Sequence, residues 1–440
     1  MGGIQGTTRQ GIVVVSASWG TGSLNGVRAS AIRVPTTSAC TTDRVLSVAR
    51  LLPIAVLYFF FNSVGLPTGL FYTTILSPLL FLWLFKRGER WITFKFFVCL
   101  SPFVFAHATI GIDSPFYYAR STVLWWTVCI TVYAFGLALR KCENLVRLFE
   151  QLIVLNFFAT LIAVVLLFTR FREVLWNDYS DSFEEGSNQV LRLQLLTSEP
   201  SVYALLMIPL LVFAVLRLFR EPGKRNLRYA IMILIPFLLS QSLVGLGVSL
   251  AGIGVAVLVA FRDMFRKRGA WAALGVMALL IAGLGYVQNP VSQRIVQVLA
   301  GQDSSTDSRT VSSFIVAYAV ALPKSLLWGA GLGQAKLTDV SDLGLAFTIG
   351  VIPNAVAGGF AELGIIGILI KFALECYLFF RTRVYANPFR VAMFVVVFIT
   401  QLTGSYVTNV QEYLMWFLAF GPFFPEMDLR KAVSFDVSHV

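Results

Sequence analysis

Arg192 precedes Glu199 by seven residues in the run Arg192-Leu-Gln-Leu-Leu-Thr-Ser-Glu199-Pro200-Ser201-Val-Tyr203. Pro200 suits the first turn of a helix, where its missing N–H loses no bond, so Ser198 or Glu199 falls at the cap. Glu199 is then either a cap or a carboxylate held at a helix mouth, ready to accept a proton. Arg192 either snorkels to lipid headgroups or grips an anion. Arg309 offers it a partner, because free backbone N–H groups in the first turn of a helix favour an anion and a guanidinium adds a bidentate fork. Two such arginines on two long loops would clamp a diphosphate without a metal. Ser201, at the start of the sixth apolar segment, and Arg294, on the second long loop, are further substrate-binding candidates. Pro353-Asn354-Ala-Val-Ala-Gly358-Gly359-Phe-Ala-Glu362-Leu-Gly364-Ile-Ile-Gly367 opens an apolar run. Its small residues suit close helix approach. Glu362, inside that run, is either a functional carboxylate or half of a structural pair. Asn354 is a substrate-binding candidate, and so is His107, the one histidine outside the C-terminal tail. His107 is otherwise read as a hydrogen-bonded packing residue.

Weaker signals surround these. Gly329-Ala-Gly331-Leu-Gly333 lacks the strand and lysine of a phosphate loop and reads as a turn. Asp339 and Asp342 read as solvated loop, and no metal site is expected. Lys371 and Glu375 stand one helical turn apart and are expected to pair or snorkel. The five cysteines (Cys40, Cys99, Cys129, Cys142, Cys376) form no CxxC pair, so neither a disulfide framework nor zinc is supported.

The elements that position these groups follow from composition. Of 440 residues, 57% are hydrophobic and only 13% charged, against roughly 25% charged in soluble domains. The mean hydropathy of +0.75 fits a helical bundle in a bilayer. Apolar segments fall at 45–62, 66–85, 93–112, 121–139, 148–169, 201–219, 229–241, 243–260, 270–287, 355–380, 391–408 and 410–426, making twelve spans. The seventh is short, broken at Pro236 and Ser240-Gln241-Ser242, and reads as a half-helix. Residues 1–44 read as a disordered cytoplasmic tail, 45–287 as spans one to nine with an outer loop at 170–200, and 288–354 as a long extracytoplasmic loop. Spans ten to twelve occupy 355–426, and 427–440 form a cytoplasmic tail. In the long loop Val311, Phe314, Ile315, Tyr318, Ala319 and Leu322 make an apolar stripe, which predicts an amphipathic helix on the membrane face, capped by Asp307 or Ser308 and ended by Pro323.

The formal net charge is +12, but the basic residues cluster between apolar runs, which speaks against nucleic-acid binding. With the N-terminus inside, the inner segments hold 26 Lys and Arg. The outer ones hold eight: Arg120, Arg170, Arg172, Arg192, Arg294, Arg309, Lys324 and Lys336. That is the asymmetry of the positive-inside rule.

On Arg192 with Glu199-Pro200-Ser201, Ser240-Gln241-Ser242, Ser308-Arg309, Trp328-Gly-Ala-Gly331-Leu-Gly333 and Asn354 through Gly367, the chain resembles the bacterial polysaccharide polymerase and O-antigen ligase superfamily. The Glu-Pro-Ser variant is most similar to exopolysaccharide repeat-unit polymerases. The resemblance implies an inner-membrane glycosyltransferase of the GT-C-like kind, without cofactor or metal, whose active site faces the periplasm. Its donor and acceptor would be undecaprenyl-diphosphate-linked oligosaccharides. Arg192 and Arg309 would contact the pyrophosphate, and a chain-length regulator and export machinery would be partners. Ligases of this kind commonly carry His before the Asn, where this chain has Pro353, so the general base is open between Glu199 and Glu362. An O-antigen ligase acting on lipid A core and a secondary transporter or flippase are the alternatives.

Overall fold

The computed structural model describes residues 46–60, 72–179, 190–260, 309–339, 352–404 and 409–429, with Gly275 alone between. Residues 44–440 make one unit. The tail at 1–44, the predicted span at 270–287 and Arg294 lie outside the described residues.

Short polar residues cap six of the helices. Ser114, Asn144, Ser242, Asn354, Asn387 and Asn409 each accept a backbone N–H from the first turn that follows, and Pro115, Pro200 and Pro388 sit where a missing N–H loses no bond. Thirteen α-helices result among the described residues. They are α1 (Val48–Phe60), α2 (Tyr72–Lys86), α3 (Trp91–Ile110), α4 (Pro115–Arg140), α5 (Leu145–Val165, prolonged by a 3-10 turn to Phe168), α6 (Arg172–Leu175), α7 (Pro200–Arg220), α8 (Lys224–Leu239), α9 (Leu243–Val259), α10 (Val311–Ala321), α11 (Ala355–Arg381), α12 (Pro388–Thr403) and α13 (Val410–Phe420). A helix occupies most of the described part of every predicted segment except 270–287, though in 229–241 it stops at Leu239 and in 410–426 at Phe420. Five helices, α3, α4, α5, α7 and α11, are long and apolar enough to cross a membrane.

The surface supports that reading. Phe105 is 74% exposed and Phe168 is 91% exposed, as expected of side chains that meet lipid rather than water. The core gathers on α7, which is apolar on every side and buried from Tyr203 to Leu216. Around it Phe149, Phe213 and Phe389 all meet Phe424, at centroid distances of 5.0, 4.9 and 4.7 Å.

These contacts orient the bundle. At one end α5 begins, α7 ends and α12 begins, and Glu150 pairs with Arg217 and Arg225 at 2.5 and 2.7 Å. At the other, α7 begins beside a two-stranded antiparallel hairpin, β1 (Trp176–Tyr179) and β2 (Val190–Leu193), with Asn177 opposite Arg192. The hairpin adds two short strands inside the expected outer loop at 170–200 of an otherwise helical chain. Four-residue strands are too short to declare a period of two, and only burial of Trp176 and Leu193 fixes their register. The connections α4–α5, α7–α8 and α11–α12 close the Glu150 end and carry Arg140, Lys141, Arg220, Lys224 and Arg383, residues that the charge count groups on one side.

Two further elements differ from expectation. Helix α10 carries its predicted stripe outward, with Val311, Phe314, Ile315, Tyr318 and Leu322 exposed, but the opposite face is not a polar, solvated one. Ser312, Ser313, Val316, Ala317, Val320 and Ala321 are buried there, because the small residues of α11 admit a second helix. Helix α11 reaches spanning length only by counting through a break at Gly364 (φ 68°, ψ −170°). A methyl on Gly359 would lie 3.0 Å from Ile368 Cδ1, whereas nine residues of straight helix separate Cα atoms by about 13.5 Å. Segments 355–363 and 365–381 therefore fold back on one another.

Lys371 and Glu375 do not pair. Lys371 Nζ meets Glu412 Oε1 at 2.6 Å, and Glu375 accepts from Gln401 Nε2 at 3.2 Å. Glu412 is 3% exposed, so Glu412→Leu removes the direct partner of Lys371 and leaves Glu375 as the other carboxylate acting on that ammonium, which is expected to lower stability by about 1–3 kcal/mol. Lys371→Met added to it should restore most of the loss in thermal unfolding, and no restoration would refute the pairing.

Candidate functional site

Arg192 projects from β2, which brings its Nε to donate to the Ser240 carbonyl at 3.2 Å. The turn it meets is tightly built. Ser240 is buried, Gln241 takes a left-handed φ of 49°, and Ser242 caps α9 by accepting from Gly245 N. Arg192 is half-buried, so the turn fixes the base of its guanidinium at the mouth of α9.

Arg309 lies at the same end. Helices α9 and α12 run antiparallel in close contact, because Gly252 lets the Ala392 carbonyl come within 3.0 Å of where a Cβ would stand. The start of α9, under Arg192, thus neighbours the end of α12. There Arg309 Nη1 lies 3.2 Å from where a Cβ on Gly404 would be, a position that the negative end of the α12 dipole favours.

Asn354 acts through structure. Its Oδ1 accepts from Val356 N and Ala357 N, and its Nδ2 donates to Arg309 O at 2.9 Å and Leu402 O at 2.6 Å. Every hydrogen-bonding group of this fully buried side chain is committed, so it caps α11 and ties the Arg309 backbone to α12. As a substrate ligand, the role expected from sequence, it has nothing left to offer.

Glu199 stands at the cap of α7 with extended backbone (φ −153°, ψ 152°), yet its side chain makes no cap bond. The carboxylate is exposed and accepts from Ser201 Oγ at 2.9 Å. This carboxylate is open to solvent at the hairpin end, and Ser201 holds one of its oxygens.

Glu362 and His107 belong to a second centre, built by the glycine-rich turn. Gly329, Gly331 and Gly333 all take positive φ (78°, 101° and 72°), which lets the backbone lie against the break in α11. Ala330 N and Gly331 N donate to the carbonyls of Ala361 and Glu362, while Ile365 N and Ile366 N donate to Leu326 O and Leu327 O. The groups that the broken helix would orphan are thus satisfied by the turn. Glu362 Oε1 accepts from Gly333 N at 3.0 Å. His107, 1% exposed, meets Trp328 O through Nε2 at 2.8 Å and Tyr118 Oη through Nδ1 at 3.0 Å. A carbonyl only accepts, so Nε2 carries the proton, Nδ1 accepts from Tyr118, and no ring nitrogen is left for substrate. That is the packing reading of His107, extended by its role in holding the turn. Lys324 anchors the same segment to Asp113 at 2.5 Å.

Sequence reasoning missed Tyr118 and Glu412, and named Trp328 without assigning it a contact. The one signal for them was the rarity of polar groups in apolar runs, which marks a partner without saying where it lies. Among the described residues no three His, Cys, Asp or Glu come together as metal ligands. No protein-family model matches the chain, and no curated protein does.

Proposed function

We propose that the chain is a glycosyltransferase of the outer face of the bacterial inner membrane, joining undecaprenyl-diphosphate-linked oligosaccharide repeats into a polymer. Three separate placements support this reading: Arg192 meets the Ser240 carbonyl at the mouth of α9, Arg309 stands beside Gly404 at the end of α12, and Glu199 presents an exposed carboxylate at the start of α7. In the transfer, the acceptor hydroxyl oxygen bonds to the anomeric carbon as the bond from that carbon to the diphosphate oxygen breaks. The electron pair leaves on the diphosphate, where the two guanidinium forks meet the growing charge. The acceptor proton passes to Glu199.

In this orientation the Glu150 end faces the cytoplasm. In a background freed of native cysteines, a Cys at Glu173 should react with an impermeant thiol reagent on intact spheroplasts, and a Cys at Glu143 should not. Equal labelling of the two would overturn the orientation.

The broken α11 and the Lys371–Glu412 pair favour a second reading, a transporter or flippase, since discontinuous helices commonly hold solutes at mid-membrane. Deletion of the gene separates the readings through the lipid-linked glycans that accumulate. Single repeats on the outer leaflet support a polymerase. Finished chains on the lipid carrier mean a ligase, repeats trapped on the inner leaflet mean a flippase, and an unchanged glycan profile with loss of a solute means a transporter; each of these three overturns the proposal.

A further inference from the structure

At the Glu150 end, α1, α5, α7 and α8 enclose a groove of about 760 Å³. Its floor is Glu150, whose side chain is 6% exposed and accepts from Arg217 Nη1 and from Arg225 Nη2. One buried carboxylate thereby orients two guanidinium groups toward the same opening, and each keeps donors beyond the one it gives to Glu150. Arg147 joins them on the rim and makes no ion pair among the described residues. Three cations face Glu150, and Glu221 is a second, looser partner of Arg217 at 3.8 Å, so the groove holds a net excess of one positive charge matched to a phosphodiester.

Two more features narrow the ligand. Gln151, on the groove wall, has a buried Oε1 with no hydrogen-bond partner, an acceptor waiting for a donor that a bare phosphodiester does not carry. The wall continues through Leu155 to Phe158 and Ile162, one helical stripe along α5, and these are 41%, 53% and 59% exposed. The groove therefore opens onto an apolar strip that would run beside an acyl chain, which a free phosphate has no use for.

We propose that this groove binds the headgroup of an anionic glycerophospholipid with a hydroxylated head, of the phosphatidylglycerol class. The phosphate meets Arg147, Arg217 and Arg225, a head hydroxyl donates to Gln151 Oε1, and an acyl chain follows the Leu155 stripe. The site is independent of the glycosyl-transfer reading, since it lies at the opposite end of the bundle.

Native mass spectrometry of the purified chain in neutral detergent tests this, with dioleoyl phosphatidylglycerol, phosphatidic acid, phosphatidylcholine and inorganic phosphate as probes. One phosphatidylglycerol per chain should be retained in preference to phosphatidylcholine. Arg147→Gln with Arg225→Gln, both at exposed positions, should weaken it by about fivefold per arginine. Gln151→Leu should erase the preference for phosphatidylglycerol over phosphatidic acid. The hairpin-end pair Arg170→Gln and Arg172→Gln should leave binding unchanged. Competition by inorganic phosphate at the lipid's own concentration would make this a free-anion site. Equal weakening by the two arginine pairs would make it a diffuse surface charge, and either result overturns the proposal.

Discussion

Arg309→Lys is expected to reduce polymer formation by about 100- to 1,000-fold, the usual effect of losing one donor to charge that develops in a transition state. Lysine keeps the charge but not the planar fork, so the loss measures bidentate recognition rather than attraction. The structure makes this a clean substitution. Arg309 is tied to Asn354 through its main-chain carbonyl, and that bond survives any change of side chain. Protein level and thermal unfolding should therefore stay near those of the parent while product falls. Arg192→Ala should act in the same direction, with a small added cost from the lost bond to the Ser240 carbonyl. Polymer of normal length and yield from both variants, read on carbohydrate gels, would remove the clamp and with it the main support for glycosyl transfer.

Much of the frame behind that expectation is legible in the amino-acid sequence, because bilayer-scale apolar runs and their polar stops are local signals. The segments read from 243 and 410 begin where α9 and α13 do, whereas those read from 148 and 391 begin three residues inside α5 and α12, whose caps are Asn144 and Asn387. Among the described residues, the basic residues of the α4–α5, α7–α8 and α11–α12 connections lie at the Glu150 end. What is not legible depends on partners far along the chain. Lys371 has an acidic neighbour one turn away in Glu375, yet it pairs with Glu412, 41 residues on, because antiparallel packing of successive helices sets that neighbour. Asn354 looks like a ligand in sequence, since nothing local says that the Arg309 and Leu402 carbonyls will fill its amide. Glu362-Leu-Gly364-Ile-Ile-Gly367 holds no proline and only one polar residue, and small residues in a span ordinarily mean close packing. The break at Gly364 comes from outside, from a turn some 35 residues upstream whose own glycines make it a template for the freed backbone groups.

Gly364→Ala tests that account, and its effect should be large. The residue sits at φ 68°, ψ −170°, a region essentially closed to side chains. A Cβ there would stand 2.2 Å from Leu327 O and 2.5 Å from Gly329 N. Both are main-chain atoms, so no rotamer change relieves the clash. Relief requires the turn to withdraw, which breaks the bonds from Ile365 N and Ile366 N to Leu326 O and Leu327 O and those from Ala330 N and Gly331 N to Ala361 O and Glu362 O. Strain of about 1–3 kcal/mol together with buried main-chain groups left unpaired at about 1–3 kcal/mol each should destabilise the chain by roughly 3 kcal/mol or more. Alanine also favours continuing the helix, so the variant is pushed toward a straight α11 that pulls Glu362 and the His107–Trp328 contact apart. Gly254→Ala on α9, where an added methyl meets nothing within 4 Å, is the matched control and should be neutral or slightly stabilising. A disulfide between cysteines placed at Gly359 and Ile368 should form in the parent background and fail in Gly364→Ala. If Gly364→Ala unfolds at the parent temperature and still forms that disulfide, the fold-back of α11 does not depend on this glycine, and the template role of the upstream turn falls with it.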